Sequence, residues 1–540
     1  MVIELKNLEI IALIGFLCFA FYLEMQLTTS SPIAFGDEGF HTRMAQWIAQ
    51  KTEIPTWVPF EGDATYKDGF SRPFLWNVLE ASFFYIFGFN EAIVKILTPF
   101  IGSIVLGLAV FTVVKRLYNG KVAFVASILV VALPSMITYS VLFYVEVLFA
   151  LYFFLAISCL IFATQTENRK YWIMAGVFTA LAILTKRTGY FLIPIFGLTF
   201  LYELWKHKNF LKIAKKYLVF LLPLILITGA FFIRNLAYYK IPSCEVIFFS
   251  IFKDNQCTID TAKKSVYSFE GRTEQEGTES SVYGMGLMNY LNFAYGFSYG
   301  SVYLLIFGFL GGLFVVLTKR DILSFIIIFS LMNLLLLFLY TTNRAEDTAR
   351  YALPWAPFIT MIAGVYFSDI YDLMKKYIKI FAVMIFIFIF ILSFIEVQTK
   401  LVALKPVKAF STYFFDACDW VKQHSDKVPE NSIMSTVWTH RAAYNCQRNV
   451  VGGNPDFVVS GNVSLALSTL KEHGITHLFV QKFSISNQNL SEKYPVQYIQ
   501  MLENNPTVFE KIFENGEPDL SKCLTTGCDG TIIYKVNYTT

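Results

Sequence analysis

Residues 35–41 read Phe-Gly-Asp-Glu-Gly-Phe-His and come shortly after the first long apolar segment, residues 8–27. Asp37 and Glu38 are therefore expected at a membrane surface, where a new helical pattern begins. His41 follows Asp37 by four residues and would share its helical face. Acidic residues at a helix start also serve as ordinary caps, so the pair by itself predicts only where the helix begins.

The composition predicts a multi-spanning α-helical membrane protein. Hydrophobic residues make up 55% of the chain and charged residues 16%, against about 25% charged in soluble domains. Apolar runs of about 20 residues are long enough to cross a bilayer. About eleven spans are expected, at residues 8–27, 93–114, 122–139, 144–163, 171–185, 189–204, 217–236, 301–317, 322–340, 351–368 and 378–396.

Charge bias predicts the orientation of these spans. Residues 73–89 are apolar but contain Asn77, Glu80 and many aromatic residues, which favours an interfacial helix within an external loop, residues 28–92. With this segment on the surface, all the basic loops fall on one side, which the positive-inside rule makes cytoplasmic. The N-terminus is then cytoplasmic and everything after residue 397 extracytoplasmic.

The composition changes near Pro406, where the apolar runs shorten and polar residues return. We expect a transmembrane domain over residues 1–404 and an extracytoplasmic soluble α/β domain over residues 405–540. The latter is large enough for a core of its own.

Six of the eight cysteines fall on the predicted external side, where disulfides form. Sequence-near pairing is the simplest arrangement, and six free thiols are the alternative, because connectivity does not follow from sequence. These disulfide candidates are Cys244, Cys257, Cys418, Cys446, Cys523 and Cys528.

Further charged residues come out on the same predicted side as Asp37. Glu146 is flanked by apolar residues, and charges in such surroundings usually face a cavity or a partner. Four cations break the positive-inside pattern and would suit an anionic headgroup: Lys186, Arg187, Arg344 and Arg350. Arg72, just before the interfacial helix, is a similar candidate. Solvation at a helix end, snorkelling or simple ion pairing are the alternatives for these residues.

The sequence gives little indication of a metal-binding or nucleotide-binding site. Asp37, His41 and Glu146 are weak candidates for a divalent metal site, although their spacing is not a zinc signature. His440 has no matching Ser or Cys nucleophile pattern and is expected to be structural. The chain lacks a Walker loop, a dinucleotide-binding fingerprint and His-Glu-x-x-His, so any donor would arrive already activated through the membrane.

The motifs of this sequence resemble those of the C-type (GT-C) membrane glycosyltransferases. Within that family they resemble most the protein O-mannosyltransferases and the aminoarabinose transferases of lipid A. The resemblance covers about residues 8–370, and its motifs occur in the family's order. They are Asp37-Glu38, Ser71-Arg72-Pro73-Phe74-Leu75-Trp76, Glu146, Leu184-Thr185-Lys186 and Arg350-Tyr351-Ala352-Leu353-Pro354. Two features depart from the family: Glu146 stands where Asp is usual, and Arg187-Thr188 separate Lys186 from Gly189. The acceptor signature Trp-Trp-Asp-Tyr-Gly of oligosaccharyltransferases is absent, which argues against that branch.

The resemblance implies an inverting glycosyltransferase that uses a polyprenyl-phosphate sugar, dolichyl phosphate in an archaeal or eukaryotic source. Asp37 would act as base toward an acceptor hydroxyl on a protein, lipid or lipid-linked glycan, with Glu38 and Glu146 as orienting acids. Lys186 and Arg350 would stabilise the departing phosphate.

The same resemblance suggests that further residues contact the substrates. These substrate-binding candidates are His41, Arg72, Arg187 and Tyr351. No cofactor is assigned with certainty, and a divalent metal is the one candidate.

Two other classes of function compete with this reading. A membrane transporter or lipid flippase would place charges near mid-membrane and show repeat symmetry. An assembly or receptor protein would have its function in the C-terminal domain.

Overall fold

The computed structural model describes most of the chain before residue 240 and most of it from residue 350 onward. The described residues are 2–33, 36–60, 62, 70, 72–239, 350, 353–377, 379–408, 411–452, 462–486, 494–518 and 528–538.

Long apolar helices form the first part of the described chain. Seven of them are long and apolar enough to cross a membrane, or eight if a pair bent by 53° at Leu133 is one span. In chain order the helices are α1 (Val2–Ser30), α2 (Gly36–Lys51), α3 (Leu75–Phe87), α4 (Glu91–Lys95), α5 (Leu97–Pro99), α6 (Leu106–Leu117), α7 (Gly120–Ala132), α8 (Pro134–Val141), α9 (Glu146–Thr166), α10 (Arg169–Thr185), α11 (Leu192–His207), α12 (Phe210–Tyr239), α13 (Ala356–Tyr377) and α14 (Lys379–Lys408).

Local sequence explains where several of these helices begin and bend. Asn119 and Asn168 cap α7 and α10 by accepting a hydrogen bond from a backbone N–H of the first turn. Pro134 opens α8, where its missing N–H costs nothing. Between α5 and α6 the chain forms one π-helical stretch, Phe100–Val105, an arrangement that is frequent at functional sites.

The helix α3 has 13 residues, about 20 Å at 1.5 Å per residue. A hydrocarbon core is about 30 Å thick, so α3 by itself is shorter than a full span, and the interfacial placement of residues 73–89 remains a prediction. Its buried face carries Trp76, Asn77, Glu80, Ala81 and Phe84 and packs mainly against α2.

The C-terminal part is an α/β domain with a five-stranded mixed sheet. Its order is β2-β1-β3-β7-β6, with β1, β2 and β3 parallel and β7 antiparallel to both of its neighbours. The strands are β1 (Ile433–Thr436), β2 (Asn449–Gly452), β3 (His477–Gln481), β4 (Ile485–Ser486), β5 (Tyr494–Pro495), β6 (Phe509–Glu514) and β7 (Thr531–Val536). The helices are α15 (Thr412–Gln423), α16 (Thr439–Asn445), α17 (Val463–Glu472) and α18 (Val496–Asn504).

The predicted fold class is confirmed: a multi-spanning helical membrane protein carries a C-terminal α/β domain. The count of eleven spans is not established, because the predicted spans 301–317 and 322–340 lie outside the described residues. The last long helix, α14, runs to Lys408, four residues past the expected domain boundary at residue 404. That boundary remains a prediction.

The C-terminal domain docks directly on the segment that follows α1. Backbone hydrogen bonds join Val450 N to Phe60 O (3.1 Å) and Gly62 N to Val450 O (3.3 Å). Helix α16 packs along α2, and Asn445 Nδ2 donates to the carbonyl of Ile33 (3.0 Å). The two parts of the chain therefore share one surface around α2.

A disulfide joins Cys418 of α15 to Cys446 at the end of α16, and Cys528 is also disulfide-bonded. The other three cysteine candidates, Cys244, Cys257 and Cys523, lie outside the described residues. The Cys418–Cys446 bond ties α16 to α15 and thereby holds the helix that faces α2.

Candidate active site

Arg350 lies at the centre of a charged cluster where several helices end. Its Nη2 atom is 2.6 Å from Asp37 Oδ2, and its Nε donates to Glu146 Oε1. The guanidinium also lies over the ring of Tyr144, 4.8 Å from the ring centroid. Arg350 thus bridges an acid of α2 and an acid of α9, because its planar fork can bond to two carboxylates at once.

Lys186 is the second cation of the cluster. It caps the end of α10 in an extended conformation, which points its side chain back to Glu146, with Nζ 2.8 Å from Oε1. The Glu146 side chain is fully buried, and those of Lys186 and Arg350 are 11% and 23% exposed. One buried carboxylate therefore holds two cations together, and burial lowers the pKa of Lys186 to about 8.

The first turn of α2 presents Asp37 to this cluster. Asp37 and Glu38 are both in that turn, where the helix dipole favours negative charge. Asp37 keeps 34% of its side chain exposed, whereas Glu38 is fully buried. Burial by itself would raise the pKa of Asp37, but the charge of Arg350, with smaller contributions from His41 and His440, holds the pKa well below its ordinary range. Asp37 is therefore an anion at neutral pH.

His41 lies one turn further along α2 and is held by Asn77 of α3. The Asn77 Nδ2 atom lies 3.1 Å from both Nδ1 and the backbone carbonyl oxygen of His41. The carbonyl can only accept, so the amide NH₂ faces His41 and the ring Nδ1 accepts as well. Burial lowers the pKa of His41 to about 4, so that the ring is neutral at pH 7 and carries its proton on Nε2.

Two further basic side chains, Arg72 and His440, pack against the ring of Phe40. The Arg72 guanidinium lies 4.9 Å from the Phe40 ring centroid, and the His440 ring packs against it edge-on at 5.1 Å. The contact with His440 is close because Gly39 has no side chain: a Cβ there would stand 2.6 Å from the His440 carbonyl oxygen. The C-terminal domain therefore reaches the site through α16.

The structure brings together most of the residues that the sequence singled out. Asp37, Glu146, Lys186 and Arg350 form one connected cluster, and His41 and Arg72 lie on its α2 side. The remaining candidates differ: Glu38 is buried in the first turn of α2, Arg187 is exposed at the start of a 3-10 turn, and Tyr351 lies outside the described residues.

A divalent metal does not fit this arrangement. Among the described residues, no three His, Cys, Asp or Glu side chains are placed to hold a metal ion. Asp37 and Glu146, two of the three weak metal candidates, share the guanidinium of Arg350, and the third, His41, is bonded to Asn77. The carboxylates are thus neutralised by side-chain cations.

Sequence reasoning missed three residues of the site. His440 was expected to be structural, yet it lies within electrostatic reach of Asp37; no spacing in the sequence connects α16 to α2. Asn77 was visible as a polar residue in an aromatic interfacial helix, which could have marked it. Tyr144, which lies under Arg350, resembles the many other aromatic residues of the membrane domain.

The helical arrangement and the C-terminal domain give the chain the fold of solved membrane glycosyltransferases, as the sequence resemblance predicted. The family model for dolichyl-phosphate-mannose-protein mannosyltransferase matches residues 71–231, which include Arg72, Asn77, Glu146 and Lys186. A search of curated protein sequences found no match.

Solved structures resemble the chain over nearly its full length. The apo oligosaccharyltransferase of Archaeoglobus fulgidus superposes with a TM-score of 0.63 at 13% identity, covering 94% of this chain and 80% of that one. Apo ArnT from Cupriavidus metallidurans gives a TM-score of 0.61 at 12% identity, with 97% and 98% covered. Arabinofuranosyltransferase AftD from Mycobacteria gives 0.52 at 13% identity, with 97% and 40% covered.

Two of these proteins have also been solved with lipid phosphates. The Archaeoglobus enzyme is known in complex with an inhibitory peptide and a dolichol-phosphate, and ArnT is known bound to undecaprenyl phosphate. At this level of identity the likeness establishes the fold of the present chain.

Proposed function

We propose that this protein transfers a sugar from a polyprenyl-phosphate donor to an acceptor hydroxyl at the membrane surface. The observation that carries the proposal is the bridge made by Arg350 between Asp37 and Glu146, with Lys186 on the same carboxylate. Two cations and an anionic base candidate meet at the ends of membrane helices, where the phosphate of a membrane-dissolved lipid would lie.

The leaving group of this reaction is a lipid phosphate, stable as an anion. It needs positive charge more than it needs a proton, and preorganised cations in a water-poor site stabilise developing negative charge strongly. Lys186 and Arg350 would supply that charge. Glu146 holds both cations in place before the donor arrives, so little reorganisation is required at the moment of reaction.

Asp37 would accept the proton of the acceptor hydroxyl as it attacks the anomeric carbon. With Arg350 bonded to it, Asp37 is a weak base, because its pKa is depressed. A donor phosphate would draw the guanidinium toward itself, and the proton affinity of Asp37 would rise. Base strength would thus develop only when the donor is bound.

The single displacement breaks the bond from the anomeric carbon to the phosphate oxygen and forms one to the acceptor oxygen. The proton passes to Asp37, and the phosphate leaves with the bonding electrons. The anomeric configuration is inverted. Glu146 would orient the cations, Glu38 the first turn of α2, and His41, Arg72, Arg187 and Tyr351 would contact the substrates.

The orientation of the site follows the charge bias of the sequence. We infer an integral membrane protein with a cytoplasmic N-terminus and an extracytoplasmic C-terminal domain, so the acceptor would be met on the extracytoplasmic face. Protein, lipid and lipid-linked glycan hydroxyls are the acceptor classes, and a hexose or pentose, mannose among them, is the transferred sugar.

The test is a transfer assay with the purified full chain in detergent or nanodiscs. A panel of radiolabelled polyprenyl- and dolichyl-phosphate sugars is offered with peptide, lipid and lipid-linked glycan acceptors, and products are identified by mass spectrometry. A covalent product with inverted anomeric configuration is expected. Movement of the intact lipid across proteoliposome membranes without any covalent product would overturn the proposal in favour of a flippase.

A further inference from the structure

Glu24 is a carboxyl group inside the membrane that the proposed chemistry does not use. It lies in the span Glu9–Ser30 of α1 and is 1% exposed. An ionisable group at such a depth is costly and usually marks a function or a specific partner. Its partner is Ser140 near the end of α8, whose hydroxyl lies 2.6 Å from Glu24 Oε2 and donates to it.

The π-helical stretch Phe100–Val105 packs closely against the hydrogen bond between Glu24 and Ser140. Gly102, in the π-helical stretch Phe100–Val105, faces the same serine: a Cβ at this position would stand 3.1 Å from Ser140 Oγ and 3.1 Å from Val147 Cγ1. Ser140 is itself fully buried. Its hydroxyl therefore has little freedom to move.

Ser140 lies just before an unusual turn. Residues 142–145 connect α8 to α9, and Phe143 has a left-handed backbone with a φ of 58°. This conformation is rare and strained for a bulky side chain. It persists only when the surrounding structure fixes it, and such residues cluster at active sites.

Two contacts flank the strained residue. On one side Ser140 anchors the end of α8 to Glu24, and the Ser140 carbonyl accepts from Phe143 N at 3.4 Å. On the other side the Phe143 ring packs edge-on against Trp76 of α3, with 5.5 Å between centroids. The residues that follow are Tyr144, under Arg350, and Glu146, which holds both cations.

We propose that Glu24 is a positioning residue: through Ser140 it fixes the turn 142–145, which sets Tyr144 and Glu146 against Arg350 and Lys186. The proposal rests on the proposed function, since it assigns the turn a part in holding the donor-phosphate site. Glu24 touches neither acid nor cation of that site. Its effect passes along the chain from Ser140 to Glu146.

The first experiment does not depend on activity. Hydrogen–deuterium exchange of the backbone amides of residues 140–146 is compared in wild type, Glu24→Gln and Glu24→Leu. The amide oxygen of Gln still accepts the Ser140 hydrogen bond, whereas Leu leaves the hydroxyl without its acceptor. Exchange at least tenfold faster in Glu24→Leu and close to wild type in Glu24→Gln is expected. Unchanged exchange in Glu24→Leu overturns the proposal.

The second experiment measures steady-state transfer for the same variants. A misplacement of about 1 Å at a reacting centre costs about 10²-fold, so Glu24→Leu is expected to lower kcat/KM for the donor 10- to 100-fold, and Glu24→Gln less than threefold. Glu203→Leu is the matched control, because Glu203 is also a buried membrane acid, 2% exposed, and belongs to α11.

A combined variant separates positioning from a general loss of folding. If Glu24 acts through Glu146, adding Glu24→Leu to Glu146→Gln lowers kcat/KM less than threefold further. The proposal is overturned if the fold-losses in kcat/KM of the two single variants multiply in the combined variant. It is also overturned if Glu203→Leu lowers kcat/KM as much as Glu24→Leu does. If wild type transfers no sugar from any donor, the proposed function fails, while the exchange experiment still decides whether Glu24 holds the turn.

Discussion

Arg350 Nη2 lies 2.6 Å from Asp37 Oδ2, so the anion at the start of α2 is held by a cation from a distant part of the sequence. The same guanidinium bonds to Glu146. In the proposed reaction, the donor phosphate would compete with two carboxylates for Arg350. That competition would link donor binding to the reactivity of Asp37.

Asp37→Asn is expected to abolish most transfer, because the amide cannot take the acceptor proton. General base catalysis contributes about 10²–10⁴-fold, and a loss of that size in kcat is the expected result of the radiolabel assay. Asp372→Asn is the control, since Asp372 also pairs with a cation, Lys121, at 2.5 Å, away from the site. Wild-type turnover in Asp37→Asn would show that another group takes the proton.

The lowered pKa of Lys186 predicts that kcat/KM for the donor decreases at alkaline pH. Its pKa is lowered by burial to about 8, so the positive charge is present below that pH and is lost as the pH rises through it. Since kcat/KM reports the free enzyme, kcat/KM for the donor is expected to fall tenfold per pH unit above about 8.

In Lys186→Arg the alkaline decrease should disappear, because arginine stays charged. Lys95→Arg, at a buried lysine paired with Glu91, should keep it. If the alkaline decrease persists unchanged in Lys186→Arg, a different group causes it.

Glu146→Gln removes the carboxylate that holds two cations in a buried place. Breaking a buried pair on one side costs about 3–5 kcal/mol, because a charge is left uncompensated. We expect a lower melting temperature in detergent, partly restored by polyprenyl phosphate, whose charge replaces the lost one. Glu167→Gln, at an exposed acid paired with Lys212 and Lys216, should leave the melting temperature within about 1 °C, as surface pairs contribute little. Equal effects of the two substitutions would contradict the assignment.

Chelation of divalent metals is expected to leave transfer unchanged. Arg350 and Lys186 already neutralise Asp37 and Glu146, so the charge that a metal would supply is present in the side chains. The measurement is initial rate before and after dialysis against EDTA, followed by addition of Mg²⁺ or Mn²⁺. If EDTA abolishes transfer and added metal restores it, Arg350 and Lys186 do not supply the required positive charge by themselves.

Gly39→Ala tests whether the C-terminal domain completes the site. A Cβ at residue 39 would stand 2.6 Å from the His440 carbonyl oxygen, so α2 and α16 must separate. We expect kcat/KM to fall about 10- to 100-fold, as for other displacements of about 1 Å. Gly15→Ala in α1 meets no atom within 4 Å and should be neutral. Activity equal to wild type in Gly39→Ala would place α16 outside the functional site.

The sequence predicted the membrane fold well, because hydropathy and charge bias act over whole segments. It also selected Asp37, Glu146, Lys186 and Arg350, since charges beside apolar runs need a partner. What it could not predict are contacts between distant parts of the chain. His440 reaches Asp37 only because Gly39 lets α16 approach α2, and Glu24 was hidden in an apolar run that otherwise reads as a plain span.

The hydrogen bonds between Val450 and the segment around Phe60 have a consequence for how the protein is made. During synthesis α1 and α2 are made early, whereas β2 and α16 follow hundreds of residues later. Until then the α2 surface lacks the packing of Phe40 against His440. The nascent membrane domain is therefore expected to lack its completed site until β2 and α16 have docked, so any activity of that site would begin only after the C-terminal domain has been made.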